Sequence, residues 1–222
     1  MTNRAPFEIG EWYHCYNRGV EKRVVFKSEQ DANRFKMLLY LANDDGQVSL
    51  YNEKRPDLKR ALQRKRDKPI VTIGAYSLMP NHYHLLIKET IEGGITKFTR
   101  KVSTGYTMYF NAKYERVGNL FIKPFRSRHV VDDTYFQRVV RYIHMNAAEL
   151  YEHDWKSGRV KNVRALERKL IEYPYSSLRA YEKHEADPIV AAEGFEIVER
   201  APFSKILREA HLYYQEHPEL EK

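Results

Sequence analysis

His82 and His84 stand one residue apart in the run Leu78-Met79-Pro80-Asn81-His82-Tyr83-His84-Leu85-Leu86-Ile87. The run reads as a β-strand, in which alternate side chains share a face, so both imidazoles point the same way and can grip one metal ion. Tyr83, Leu85 and Ile87 fall on the opposite side, where helices can cover them. Further on, Tyr142 and Asn146 lie four residues apart in a helical stretch and stack on one helix face. A carboxamide oxygen is a competent third ligand for a hard cation such as Mg²⁺ or Mn²⁺. A tyrosine one turn away would sit beside that cation. Its phenol, with an ordinary pKa near ~10, is a weak nucleophile until a cation or a basic environment assists it. In-line attack on a phosphodiester suits this grouping. The same residues have plainer readings: two half-exposed strand histidines, a tyrosine packed on a sheet, and an amide near a helix end.

The elements that must position these groups follow from periodicity and turn residues. Residues 11–19 read as a first strand closed by Asn17-Arg18-Gly19, and residues 29–41 as a helix with Phe35, Leu38 and Leu39 on one stripe. A β-rich run over 69–78 leads through Met79-Pro80-Asn81 into the histidine strand, which predicts an antiparallel pair. A helix over about 95–114, a fourth strand over 125–131 and a helix over about 134–150, capped by Asp132-Asp133, complete the series. Six of these seven elements spell βαββαβ. The fold class expected is therefore α+β, a ferredoxin-like antiparallel sheet with helices on one face. The added tyrosine-bearing helix is left to cross the other face, and a C-terminal extension follows. A turn into a short helix is expected at 173–181 and a last helix over 203–215.

The 222 residues carry a net charge of +8 and 17 tyrosines. A basic, aromatic-rich chain suits single-stranded nucleic acid, which offers phosphates and unstacked bases together. Cys15 is the lone cysteine, so an intrachain disulfide and cysteine-based zinc sites are excluded. No apolar run is long enough to span a membrane and the N-terminus lacks a signal-peptide core, so a cytoplasmic protein with no membrane partner is expected. Residues 47–68 read as an exposed basic insertion, with a short helix from Asp57 to Gln63.

Four motifs carry a family resemblance: Tyr13-His14-Cys15-Tyr16-Asn17-Arg18-Gly19, Met79-Pro80-Asn81-His82-Tyr83-His84, Arg141-Tyr142-Ile143-His144-Met145-Asn146 and Tyr173-Pro174-Tyr175-Ser176-Ser177-Leu178. In this order they closely resemble the REP-associated tyrosine transposases of the single-tyrosine HUH transposase and endonuclease superfamily. Asn111-Ala112-Lys113-Tyr114 and Gly118-Asn119-Leu120-Phe121 fit the same pattern. The resemblance implies cleavage of single-stranded DNA near hairpins through a 5′-phosphotyrosine link, with Tyr142 as nucleophile. It implies His82, His84 and Asn146 as ligands of a divalent Mg²⁺ or Mn²⁺. It also implies a transposase domain over 11–152 with a helical extension over 153–222, acting as monomer or homodimer. The family often has Asn-Pro where this chain has Asn146-Ala147, which predicts a longer tyrosine helix.

Arg18, Arg126, Arg128 and Arg141 are candidate DNA-backbone contacts. His14 is read as a structural histidine able to approach the site, and His129 as an edge-strand phosphate contact. Tyr106, Tyr109 and Tyr114 are rival nucleophiles better explained by core packing. Two other functions compete with the transposase. One is a non-catalytic nucleic-acid-binding module on the same sheet. The other is a hydrolase in which water attacks and Tyr142 is structural.

Overall fold

The computed structural model describes residues 6–46 and 57–218. Strands β1 (Trp12–Arg18), β2 (Val71–Met79), β3 (His82–Glu89) and β4 (Arg126–Val130) form one sheet in the order β2-β3-β1-β4. Every neighbouring pair is antiparallel. With helices α1 (Glu29–Leu41) and α3 (Gly94–Lys113) as crossovers, this is the expected ferredoxin-like βαββαβ core. The two middle strands are β1 and β3, the first strand and the histidine strand.

Strand alternation sorts the core into two faces. Tyr13 and Cys15 of β1 and Tyr83, Leu85 and Ile87 of β3 pack with Phe35 and Leu39 of α1 and Phe98, Val102 and Tyr106 of α3. Trp12 and Leu86 turn to the other face, against Phe136, Val139, Val140 and Ile143 of α4 (Asp133–Met145). The tyrosine-bearing helix thus crosses the face to which the histidines point. Asp132 caps it, its carboxylate accepting the Tyr135 N–H at 2.7 Å. The helix is shorter than expected: the α-helix stops at Met145 and the chain tightens into a 3₁₀ turn over Asn146–Leu150. Orphan carbonyls at a helix end favour that tightening, and no proline is needed for it.

The turn before β3 is bolted to the first crossover. The amides of Val25 and Phe26 donate to Pro80 O at 2.7 and 3.0 Å, and Gly19 N donates to Asn81 O at 2.8 Å. At the other end of β3, the buried Glu89 carboxylate accepts from the amides of Gly94 (3.1 Å) and Ile95 (2.6 Å), which satisfies the first turn of α3.

Buried Asp31 ties α1 to α3. It accepts hydrogen bonds from the phenols of Tyr109 (2.8 Å) and Tyr114 (2.7 Å), from Lys113 Nζ (2.7 Å), and from the amides of Lys27 and Ser28 in a capping box. Burial alone would raise its pKa; the bonds from Lys113, Tyr114 and Tyr109 outweigh it and hold the carboxyl below its ordinary value. Tyr109 and Tyr114 are thus structural donors, as is Tyr106, which donates to Val25 O at 2.6 Å. Asp31→Ala strands Lys113 and two phenols at once and should cost roughly 3–5 kcal/mol, read as a shift in the urea midpoint. A loss under about 1 kcal/mol would show the hub to be solvent-screened.

The basic insertion is in part a packed element. Residues 47–56 lie outside the described residues. Within 57–68, helix α2 (Leu58–Leu62) is capped by Asp57 and buries Ala61, with Leu58 and Leu62 against the main core. Four further helices follow: α5 (Val163–Glu172), α6 (Leu178–Lys183), α7 (Ala192–Ile197) and α8 (Phe203–Glu216). The Tyr-Pro-Tyr-Ser-Ser segment covers the free edge of β2: Leu78 N donates to Tyr175 O at 2.8 Å and Tyr76 N to Ser177 Oγ at 3.0 Å. Helix α8 packs along α4, with ion pairs Arg138–Glu216 and Arg141–Glu209 and with Tyr213 buried between them.

Candidate active site

Strand β3 presents His82 and His84 on one face, with ring centroids 5.1 Å apart and planes nearly perpendicular. Helix α4 lays Tyr142 over them, its ring 5.5 Å from that of His84. Asn146, one turn on, is buried, and its Nδ2 donates to Tyr142 O at 2.8 Å, which orients the amide. Tyr142 is 2% exposed, and Tyr213 of α8 lies against it with centroids 4.9 Å apart.

The structure adds His14 to this group. Its Nε2 lies 2.9 Å from Nδ1 of His84, and its ring is 5.7 Å from Tyr142. His14 thus approaches the candidate site, as expected, and its bond to His84 equally satisfies the structural reading. Strand parity carries the signal: Tyr16 pairs with His84 and Arg18 with His82, so His14, Tyr16 and Arg18 share the histidine face. Tyr16 stacks on His84 at 5.6 Å.

The tautomers bear on what the histidines can hold. Asn81 Oδ1 lies 2.6 Å from His82 Nδ1, while the same amide donates through Nδ2 to Lys22 O. An oxygen only accepts, so His82 Nδ1 carries the proton and Nε2 keeps its lone pair. For His84 two arrangements satisfy the bond to His14. If His84 Nδ1 donates, its Nε2 lone pair faces the site and the His14 proton sits on Nδ1, which is buried without a partner among the described residues. A cation would select that arrangement. Among the described residues no group of three or more His, Cys, Asp or Glu side chains is set to hold a metal ion. The expected donor set would be two imidazoles and the Asn146 amide, donor types that suit a hard divalent cation.

Burial holds His14, His82, His84 and His144 below the ordinary imidazole pKa. Burial, aided by Arg18 and Lys156, pushes His82 down to about 3; burial, with Arg128 and His217 adding, brings His14 to about 3. Burial and its imidazole neighbours push His84 well down, and burial brings His144 to about 3. Unfolded histidines titrate near ~6.5, so below that pH the unfolded chain binds more protons and stability declines until the folded rings protonate. Each ring contributes up to about 1.4 kcal/mol per pH unit. Urea melts should weaken steadily from about pH 7 to about pH 5; a flat profile would mean that the rings are charged in the fold.

The candidate arginines separate into two groups. Arg18 and Arg126 line a small pocket with His82, Tyr16 and Asn17. Lys156, which the sequence gave no reason to pick, adds positive charge there. Arg128 donates to the His217 ring at 2.7 Å and reaches the Tyr135 hydroxyl. Arg141 is 6% exposed and pairs with Glu209 while donating to Gln137 at 3.1 Å. It is not brought to the site. His129 pairs with Glu11 at 2.8 Å on the opposite side of β4, and His144 turns to Ser177 at 2.8 Å.

The fold is shared with a solved structure. The structure of a REP-associated tyrosine transposase bound to a REP hairpin superposes with a TM-score of 0.52 at 14% identity, over 91% of this chain and 98% of that one. Residues 46–146 match the family model described as Transposase IS200 like, a stretch that holds His82, His84 and Tyr142 and ends on Asn146. The resemblance read from the motifs is thus met in sequence by the IS200-like transposases and in fold by a REP-associated tyrosine transposase. No curated protein matches it significantly. Among the described residues no helix is long and apolar enough to cross a membrane.

Proposed function

We propose that this chain is a metal-dependent single-stranded DNA endonuclease and strand transferase that acts near hairpins with Tyr142 as nucleophile. The observation that carries the reading is that β3 and α4, far apart in sequence, bring His82, His84 and Tyr142 together, with both histidines buried and Asn146 one turn beyond Tyr142. His82, His84 and Asn146 would hold Mg²⁺ or Mn²⁺, which when bound polarises a scissile phosphate. Arg18 and Arg126 flank His82 and suit the adjoining phosphates. The Tyr142 oxygen attacks phosphorus as it gives up its proton. The bond to the 3′-oxygen breaks, and that oxygen takes up a proton and leaves as a hydroxyl, so the step is balanced in protons. The tyrosyl ester keeps the free energy of the broken bond, so a second 3′-hydroxyl can attack it and restore the phenol without ATP. Residues 11–152 carry this chemistry, and 153–222 cover it through α8.

One observation favours the alternative of a non-catalytic DNA-binding module: Tyr142 is buried under Tyr213. A denaturing gel decides between them. The purified chain, incubated with labelled hairpin DNA bearing single-stranded flanks and with Mn²⁺, should yield a covalent adduct that chelator abolishes. Binding without adduct across a broad set of hairpins and metals would establish the module; nicking without adduct would establish attack by water.

A further inference from the structure

Helix α3 has a face that the core does not use. Ile95, Phe98, Val102, Tyr106 and Phe110 are buried, whereas Thr96, Arg100, Ser103 and Thr107 form a polar stripe three or four residues apart, with Thr104 beside it. Across from the stripe runs the segment 119–125, which holds the end of β1 through Ile122 N donating to Arg18 O at 2.9 Å. Between the two lies a cleft of about 700 Å³. Its walls are apolar at Ile122, Pro124 and Phe125 and hydroxyl-bearing along α3. Arg100 and Lys123 line it, and no acidic residue among the described ones does.

The cleft adjoins the candidate site. Asn17, Ile122 and Pro124 line both it and the small pocket that contains His82, Arg18 and Arg126. Asn17, which is buried, and Ser103 both act on the phenol of Tyr83, the residue between the two histidines, and lower its pKa against burial. A strand whose phosphate lay at His82 would pass a neighbouring nucleotide along this shared wall.

We propose that this cleft binds one unstacked nucleobase of the DNA strand that enters the candidate site. The inference rests on the reading of the chain as acting on single-stranded DNA. A base offers what the lining asks for. Its flat faces suit Pro124 and Phe125, its edge donors and acceptors suit hydroxyls that can play either part, and its phosphate suits Arg100 and Lys123. The volume is in the range of small-molecule sites and exceeds what one base requires.

The test uses the full chain, a DNA hairpin with a single-stranded 5′ extension or none, and 2-aminopurine placed at successive positions of the extension. One position should change its fluorescence on binding. Thr104→Trp, at an exposed helix position, fills the cleft without touching the core. It should weaken binding of the extended hairpin about tenfold, abolish the fluorescence change and leave the bare hairpin unaffected. Equal affinity of Thr104→Trp and the parent chain for the extended hairpin, or a fluorescence change that persists in the variant, would overturn the cleft assignment. The covalent adduct is followed on the same oligonucleotides. An adduct formed equally by both chains at equal affinity sinks the cleft alone, and no binding of either DNA sinks both readings.

Discussion

Tyr142→Phe should abolish the covalent protein–DNA adduct and leave DNA binding intact. The substitution removes one oxygen and keeps the ring, whose contacts with His14, His84 and Tyr213 are made by its faces and edges. Stability should therefore change by only about 1 kcal/mol. Loss of a nucleophile has no partial substitute among the neighbouring tyrosines. Tyr213 sits on α8 with its hydroxyl 3.1 Å from that of Tyr135, and burial holds its phenol far above the ordinary range. Tyr16 lies on the histidine face but belongs to the rigid sheet. Strand transfer should fall by on the order of 10⁴-fold or more. Undiminished adduct in this variant, measured on the same gel, would remove Tyr142 from the mechanism.

The second large effect is expected from the histidine pair. His82→Ala takes away the ring at the rim of the site, and His84→Ala the one beneath it. Each should lower Mn²⁺ affinity by more than about 100-fold, since altering even an outer partner of a ligand costs 10–100-fold. Titration calorimetry of the full chain reads this without any DNA present. The two variants should differ in stability. His84→Ala leaves the His14 imidazole unpaired in the interior, at about 1–3 kcal/mol, on top of a cavity. His82→Ala, 9% exposed and bonded only to Asn81 at the turn, should be milder. Retention of full Mn²⁺ affinity in both would show that the cation, if any, sits elsewhere.

Much of this arrangement was legible because strand and helix periodicity are local. The alternation around His82 and His84 fixed the face of β3, and the four-residue spacing of Tyr142 and Asn146 fixed that of α4. The βαββαβ order then left that helix one face to cross. What was not legible depends on pairing between distant segments. That His14 could approach the site was legible, but its bond to His84 rests on the register of β1 against β3, which a single strand cannot announce. Arg141 reads as a DNA contact by its charge, but Glu209 arrives from α8 to pair with it. Helix α7 was missed because six residues with no side-chain cap have little helical signal of their own. It exists because Gly194 lies flush on Gly74 of β2, where a Cβ would come within 2.9 Å, and because Phe195 packs on Tyr181.

The bolted turn at Pro80 and Asn81 has a thermodynamic meaning of its own. Most metal sites built on a hairpin tip must freeze a loop when the ion arrives, and the lost entropy is subtracted from the affinity. Here three amide bonds from residues 19–26 already fix the backbone that carries His82. Ordering of this corner is accomplished by folding itself, so capture of an ion at the proposed site would be closer to filling a rigid mould than to closing a hand. Slow amide exchange at Gly19, Val25 and Phe26 would be the same in the presence and absence of the ion.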